Sequence, residues 1–135
     1  MAIHVVRLGS PRAAGEGLRI GTVRRPPRGV PKARFASDNW YDMWFPTLSP
    51  SAGLMPLALS THAEPDSAAS RSTWALFTRR FRKEMAAPEA AHALDLVAAL
   101  SHQSDMAIGC YCQNEARCHR SVLRALLAER GAGIA

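Results

Sequence analysis

All three cysteines of the chain lie within nine positions, in the segment that runs from Cys110 to Cys118. A histidine and an arginine follow directly, so the segment ends Cys118-His119-Arg120. Cysteine can act as a nucleophile or metal ligand, histidine can carry a proton, and arginine binds anions. We therefore expect a functional site here, and the arginines favour an anion, most simply a phosphate, as its ligand.

Cys118 is the best candidate for a reactive thiolate. Arg117 and Arg120 flank it, and the apolar periodicity from Val122 onward predicts a helix that begins beside it. Positive charge and a helix N-terminus both lower the pKa of a thiol. We expect His119 to lean under the helix start and Arg120 to point towards the mouth of the loop. The sequence thus predicts Cys118 and His119 as catalytic residues, and Arg117 and Arg120 as ligand-binding residues.

Two other uses of the same cysteines stay open. A metal ion such as zinc would take a Cys3His set made of Cys110, Cys112, Cys118 and His119, although one residue between the first two is a shorter gap than usual. Packing is the other use, favoured for Cys110 but not for Cys118, because buried cysteines often serve as small apolar core residues. The sequence alone therefore assigns no cofactor.

A second cationic segment, residues 24–34, holds five basic residues and three prolines. Proline cannot donate to a strand ladder, so this segment is predicted to be a loop. Loops that follow parallel strands meet at one edge of the sheet, where ligands bind. We expect three residues of this loop to reach the ligand of the cysteine segment: Arg24, Arg28 and Lys32.

An alternative function is a nucleic-acid-binding module. In that case the basic loop 24–34 and the basic residues 79–83 of a predicted helix form one surface that tracks phosphates. A solvated helix face explains residues 79–83 equally well. A protein-interaction surface is a third hypothesis, but core packing explains more simply the aromatic residues on which it rests, Trp40, Tyr41, Trp44 and Phe45. Whether the chain is an enzyme stays open.

Hydrophobic patterning predicts a single α/β domain over residues 1–135. We expect strands at 3–8, 18–23 and 106–111, and helices at 72–87, 89–100 and 120–130. The last strand should pair with both early strands in a mixed or parallel sheet of a three-layer domain, with the cysteine cluster in the C-terminal strand-loop-helix. Residues 46–70, rich in proline, serine and alanine, are expected to be irregular.

Composition bounds the class of protein. With 135 residues, of which 47% are hydrophobic and 21% charged, the chain reads as one soluble globular domain. No apolar run approaches the roughly 20 residues of a membrane span, and no signal peptide is visible, so we expect a cytoplasmic protein without a membrane partner. The odd number of cysteines favours reduced thiols. A net charge of +6 favours a phosphorylated small molecule or nucleic acid as partner.

The motif Cys110-x7-Cys118-His119-Arg120 resembles the uncharacterised family called domain of unknown function 488 (DUF488). Its members often carry a strand that ends in cysteine, and then Cys-His-Arg at the opening of the last helix. Residues 48–51 and 77–85 are similar to the Pro-Ser turn and the aromatic-basic helix of its YeaO-like branch. The resemblance extends over most of the chain and implies a compact α/β fold, but it carries no established activity.

Residues 19–32 are similar to a further segment of the YeaO-like branch. That segment joins an arginine and an apolar strand to Asp-Arg-Leu-Trp-Pro-Arg-Gly and a lysine. Val23 stands where the family has aspartate, and Pro26 stands where it has tryptophan. Five residues match the basic and turn positions of the segment: Arg24, Pro27, Arg28, Gly29 and Lys32.

Overall fold

The computed structural model of the protein describes residues 1–63 and 66–135. Four strands form one parallel sheet in the order β1-β4-β2-β3. They are β1 (Ile3–Arg7), β2 (Leu18–Gly21), β3 (Met43–Trp44) and β4 (Met106–Cys110). The last strand lies between the first two, which confirms the predicted pairing and the parallel form of the sheet.

Four helices accompany the sheet: α1 (Met55–Ala63), α2 (Ala68–Met85), α3 (Pro88–Leu100) and α4 (His119–Glu129). The three predicted helices are confirmed as α2, α3 and α4. At the start of α2, Ser67 and Ser70 form a capping box. In the described part of the chain, no helix is both long and apolar enough to cross a membrane.

The prediction that residues 46–70 are irregular was wrong, because this range contains α1 and the start of α2. Pro56 is the second residue of α1 and lies in its first turn, where a helix tolerates proline. The apolar residues of α1 are spread around the helix without a clear period, so the sequence pattern did not indicate a helix. Ala58 is nonetheless buried in the main core.

The sheet lies between two covering layers. On one face, Ile3, Ile20 and Ile108 pack in a single apolar cluster with side chains of all four helices. On the other face, a Cβ atom on Gly21 would stand only 2.3 Å from Cδ2 of Tyr41, and one on Gly109 would stand 2.4 Å from Cδ2 of Leu8. The loops at residues 8–17 and 35–42 cover this face. The three layers are therefore helices, sheet and loops.

A buried ion pair fastens the loop layer. The side chain of Arg19 is fully buried, and its Nε and NH2 groups lie 2.8 Å and 2.9 Å from the Glu16 carboxylate oxygens. Its NH1 group donates to the carbonyls of Ser10 (2.8 Å) and Asn39 (2.7 Å). Burial raises the pKa of Glu16, but the hydrogen bonds from Arg19 and the Ala13 N–H, together with the charges of Arg19 and Arg12, lower it more, so the net pKa lies below its usual value. Glu16 and Arg19 are therefore both charged, and their ion pair holds the two loops on the sheet.

Candidate functional site

A cavity of about 970 Å³ opens at the carboxyl ends of the strands. Arg7 ends β1, Cys110 ends β4, and Val23 follows β2, and all three side chains line the cavity. Because the strands are parallel, their carboxyl ends meet at this edge, where ligands of open α/β sheets bind. The volume lies at the upper end of the range of small-molecule sites.

The cavity wall is strongly cationic. The described residues that line it include no aspartate or glutamate. They include one histidine, His119. Five arginines line it: Arg7, Arg24, Arg25, Arg28 and Arg117. Apart from Arg117, which is paired with Asp66, these arginines have no carboxylate partner among the described residues, and such positive side chains produce a field that favours anions.

Two of these arginines also brace the wall. Arg24 donates from Nε to the Pro50 carbonyl (3.0 Å) and from NH2 to the Pro46 carbonyl (3.2 Å), which fastens the segment before α1. Arg117 donates to the Ser70 carbonyl (2.9 Å) and to Asp66 (3.1 Å). Their geometry is therefore set by the protein itself.

Arg25 and Arg28 are exposed at the rim of the cavity. In the described part of the chain, neither guanidinium forms an ion pair or a hydrogen bond. These two groups are therefore available to a ligand.

Three thiols meet at the cavity floor. Their Sγ atoms all lie within 4.8 Å of one another, and those of Cys110 and Cys112 are 3.5 Å apart. A short 3-10 turn at Glu115–Arg117, capped by Asn114, returns the chain so that Cys118 becomes the N-cap residue of α4. Their spacing is close enough to hold a metal ion.

The thiols differ in exposure and in pKa. Hydrogen bonds from Cys112 and Cys118 lower the pKa of Cys110. The pKa of Cys112 rises to about 12, chiefly through its hydrogen bond to Cys110. The pKa of Cys118 is raised by its hydrogen bonds to the other two thiols and by burial. The pKa of Cys118 is therefore shifted upward, opposite to the direction that the neighbouring arginines and the helix start predicted.

His119 is buried beside the cluster and also lines the cavity. Its Nε2 lies 2.5 Å from the Thr22 carbonyl oxygen, which can only accept, so Nε2 carries the proton. Its Nδ1 lies 3.8 Å from Sγ of Cys118, and the ring packs edge-on against Phe81. The compact group of candidate ligands contains the three sulfurs but not His119, so three of the four residues of the expected Cys3His set come together.

Arg120 does not point towards the mouth of the loop as expected. It is buried beneath the strand ends, where NH1 donates to the carbonyls of Val6 (3.1 Å) and Cys110 (3.2 Å). These carbonyls lie near the carboxyl ends of β1 and β4, and the Cys110 carbonyl also accepts from the Leu8 N–H at 2.9 Å. Its Nε is buried and has no partner among the described residues.

The cavity brings together four of the predicted site residues: Arg24, Arg28, Arg117 and His119. The other three, Cys118, Arg120 and Lys32, do not line it. Cys118 and Arg120 lie beneath its floor, and Lys32 is exposed in a 3-10 turn of the basic loop.

Sequence reasoning missed four lining residues: Arg7, Arg25, Trp40 and Tyr111. The signal for Arg7 was present, because it is the penultimate residue of the predicted strand 3–8, and in the structure it pairs with Cys110 on the neighbouring strand. Trp40 had no such signal, since its place depends on how the loop at 35–42 folds back.

One family model, described as "Active DUF488-N3 subclade", matches residues 3–131. The chain belongs to the DUF488 family. The match spans this DUF488 domain from β1 to α4, including the cavity and the cysteine cluster, and it confirms the resemblance seen in the Cys-His-Arg motif. No curated protein and no solved structure is similar enough to the domain to add to this assignment.

Proposed function

We propose that this DUF488 domain binds a phosphorylated or nucleotide-like ligand in the cavity at the strand ends. The observation that carries the proposal is the charge of the wall, where five arginines occur without a carboxylate among the described lining residues. Guanidinium groups bind phosphate oxygens in a fork of parallel hydrogen bonds, which a compact ammonium cannot do. The net charge of +6 also favours the approach of anions.

The apolar part of the wall supports a ligand larger than phosphate alone. Trp40 and Tyr111 line the cavity and pack edge to face with ring centroids 5.8 Å apart. The Tyr111 hydroxyl donates to the carbonyl of Arg25 (2.8 Å), so the ring is held beside a free arginine. An aromatic surface next to a cationic one suits the base and phosphate of a nucleotide.

The matching subclade is described as active, which favours a reaction over binding alone. Arg24, Arg28 and Arg117 would bind the ligand. His119 is the histidine that lines the cavity among the described residues, and its Nδ1, 3.8 Å from Sγ of Cys118, is the nitrogen that can accept a proton once Nε2 donates to the Thr22 carbonyl. Cys118 would act through the sulfur cluster, because it does not line the cavity.

Calorimetric titration of the full chain with pyrophosphate and with a nucleoside diphosphate tests this proposal. We expect Arg28→Gln to weaken binding about tenfold, because it removes one charge-assisted hydrogen bond of about 1.4 kcal/mol. The matched control is Arg79→Gln, since Arg79 is also exposed but lies outside the cavity. If both variants bind as tightly as the wild type, the cavity is not the anion site.

The same pair of variants tests the nucleic-acid hypothesis. Residues 79–83 lie on α2, and Arg82 of this group is paired with Glu129. A phosphate-tracking surface requires Arg79→Gln to weaken oligonucleotide binding as much as Arg28→Gln does, with an affinity that falls steeply with salt. Binding to the nucleoside diphosphate but not to an oligonucleotide would favour the small-molecule ligand.

A further inference from the structure

We propose that Cys110, Cys112 and Cys118 bind one thiophilic metal ion, with zinc as the natural occupant, in a three-thiolate site whose fourth position faces the cavity. The three-thiolate site rests on the sulfur geometry alone. Its further part, that the anionic ligand occupies the fourth position, rests on the proposed function.

The sulfur spacing fits a tetrahedral ion. With zinc-sulfur bonds of about 2.3 Å, two thiolates on one tetrahedral ion stand about 3.8 Å apart. The observed Cys110–Cys112 separation is 3.5 Å, and all three sulfurs lie within 4.8 Å of one another. Small rotations of the side chains therefore suffice for binding, without a change in the fold.

The local chain explains how a Cys-x-Cys pair can share an ion. Cys110 is the last residue of β4, and Cys112 lies beyond the end of the strand, so the pleat does not hold their side chains apart. The 3-10 turn at Glu115–Arg117 then delivers Cys118 as the third sulfur.

The protein supplies three ligands rather than four. His119 is the neighbouring residue with a ligating nitrogen, and although its Nδ1 lies 3.8 Å from Sγ of Cys118, it is outside the group of ligand atoms that all lie within 4.8 Å of one another. Cys110 and Cys112 line the cavity, so an ion held between the sulfurs is reached from that side. Structural zinc sites take four protein ligands, whereas sites with three keep a position for water or substrate.

The surroundings compensate the charge of such a centre. A divalent ion with three thiolates keeps one net negative charge. Arg120 is buried beside it, donates to the Cys110 carbonyl and has a buried Nε without a partner among the described residues. Cys118 is the N-cap residue of α4, so the positive end of the helix dipole also lies beside the sulfurs. A buried cation with an unsatisfied donor is accounted for if the neighbouring sulfurs carry negative charge.

The test uses the full-length reduced chain, purified without a tag and titrated with cobalt(II). We expect elemental mass spectrometry to find one zinc ion per chain as isolated. We expect cobalt to give thiolate-to-metal charge transfer together with the visible bands of a tetrahedral site. Less than a tenth of an equivalent of zinc, together with no charge-transfer band at equimolar cobalt, would overturn the proposal.

Two variants locate the ligands. Cys112→Ser should weaken cobalt binding more than about a hundredfold, because loss of an outer partner alone costs 10- to 100-fold. Cys112 is only half-buried, so this variant is expected to fold. His119→Gln should keep the cobalt spectrum, which separates a three-thiolate site from a Cys3His site. Unchanged cobalt affinity in Cys112→Ser, or loss of the charge-transfer band in a folded His119→Gln, would contradict the assignment.

Adding pyrophosphate to the cobalt-loaded protein separates the two proposals. A shift of the visible bands, abolished by Arg28→Gln while cobalt affinity stays the same, supports an ion whose fourth position takes the anion. Cobalt binding without any shift would refute the open fourth position as the anion site and leave the three-thiolate site standing. Pyrophosphate binding without cobalt binding would refute the metal site and leave the proposed function standing.

Discussion

Replacing Glu16 with glutamine removes the carboxylate that neutralises the buried Arg19 guanidinium. The glutamine amide has nearly the same shape and keeps one acceptor oxygen, so the packing is conserved while the charge is lost. Arg19 is fully buried and contacts Glu16 at 2.8 Å and 2.9 Å. Breaking a buried pair from one side leaves an uncompensated charge, so we expect a loss of about 3–5 kcal/mol in the free energy of unfolding.

The expected change in melting temperature follows from the size of the domain. For 135 residues, the usual entropy of unfolding converts this loss into a decrease of about 10–18 °C. The pKa of Glu16 in the folded protein lies below its usual value of 4.5. Its stabilisation is therefore fully present above about pH 4.5 and is lost as the pH falls through the folded-state pKa. The difference in the free energy of unfolding between wild type and Glu16→Gln should therefore decrease at acid pH.

Urea unfolding followed by circular dichroism, at neutral pH and at steps down to pH 3, measures both effects. The matched control is Asp38→Asn, which breaks an exposed ion pair with Arg34 at 2.9 Å. This control should cost less than about 1 kcal/mol. A loss below 1 kcal/mol for Glu16→Gln, or a gap that stays constant in acid, would refute the reasoning.

Gly21→Ala should destabilise the domain by about 1–3 kcal/mol in urea unfolding, because its Cβ would stand 2.3 Å from the Tyr41 ring; an unchanged midpoint would mean that the ring moves freely. Tyr41→Phe should leave stability unchanged or raise it, because the hydroxyl is buried without a partner among the described residues, and a clear loss would reveal a bonded hydroxyl. Ser67→Ala should lower the free energy of unfolding by about 1 kcal/mol, because it removes the acceptor for the Ser70 N–H at the start of α2. The control is Ser104→Ala, which changes an exposed serine, and equal melting temperatures for the two variants would contradict this prediction.

The sequence predicted the elements with strong periodicity and the strand order that brings the cysteine loop to the basic loop. It did not predict α1, whose apolar residues have no clear helical period. The inward course of Arg120 was also hidden, because the carbonyls that attract it belong to Val6 and Cys110, and Val6 is more than a hundred positions away. Contacts between distant segments are set by the packed fold and leave no local pattern.

The direction in which the pKa of each cysteine shifts could not be predicted from the sequence, for a related reason. A cysteine beside arginines at a helix start suggests a thiolate at that residue. In the folded protein the hydrogen bonds among the three thiols lower the pKa of Cys110 and raise the pKa of Cys118. Local charge in the sequence locates the site, but the contacts among the three sulfurs decide which pKa is lowered and which is raised.

The strand order has a consequence for synthesis on the ribosome. β4 fills the gap between β1 and β2, so Ile3 finds its neighbour Met106 only after 103 further residues have been made. Until then both early strands present open edges, and long-range parallel pairing is slow to form. The cavity cannot exist on a nascent chain, since Arg7 and Cys110 become neighbours only at that final step. This domain therefore acquires its sheet and its binding site in a single late event, and a chaperone that shields β1 and β2 should raise its yield.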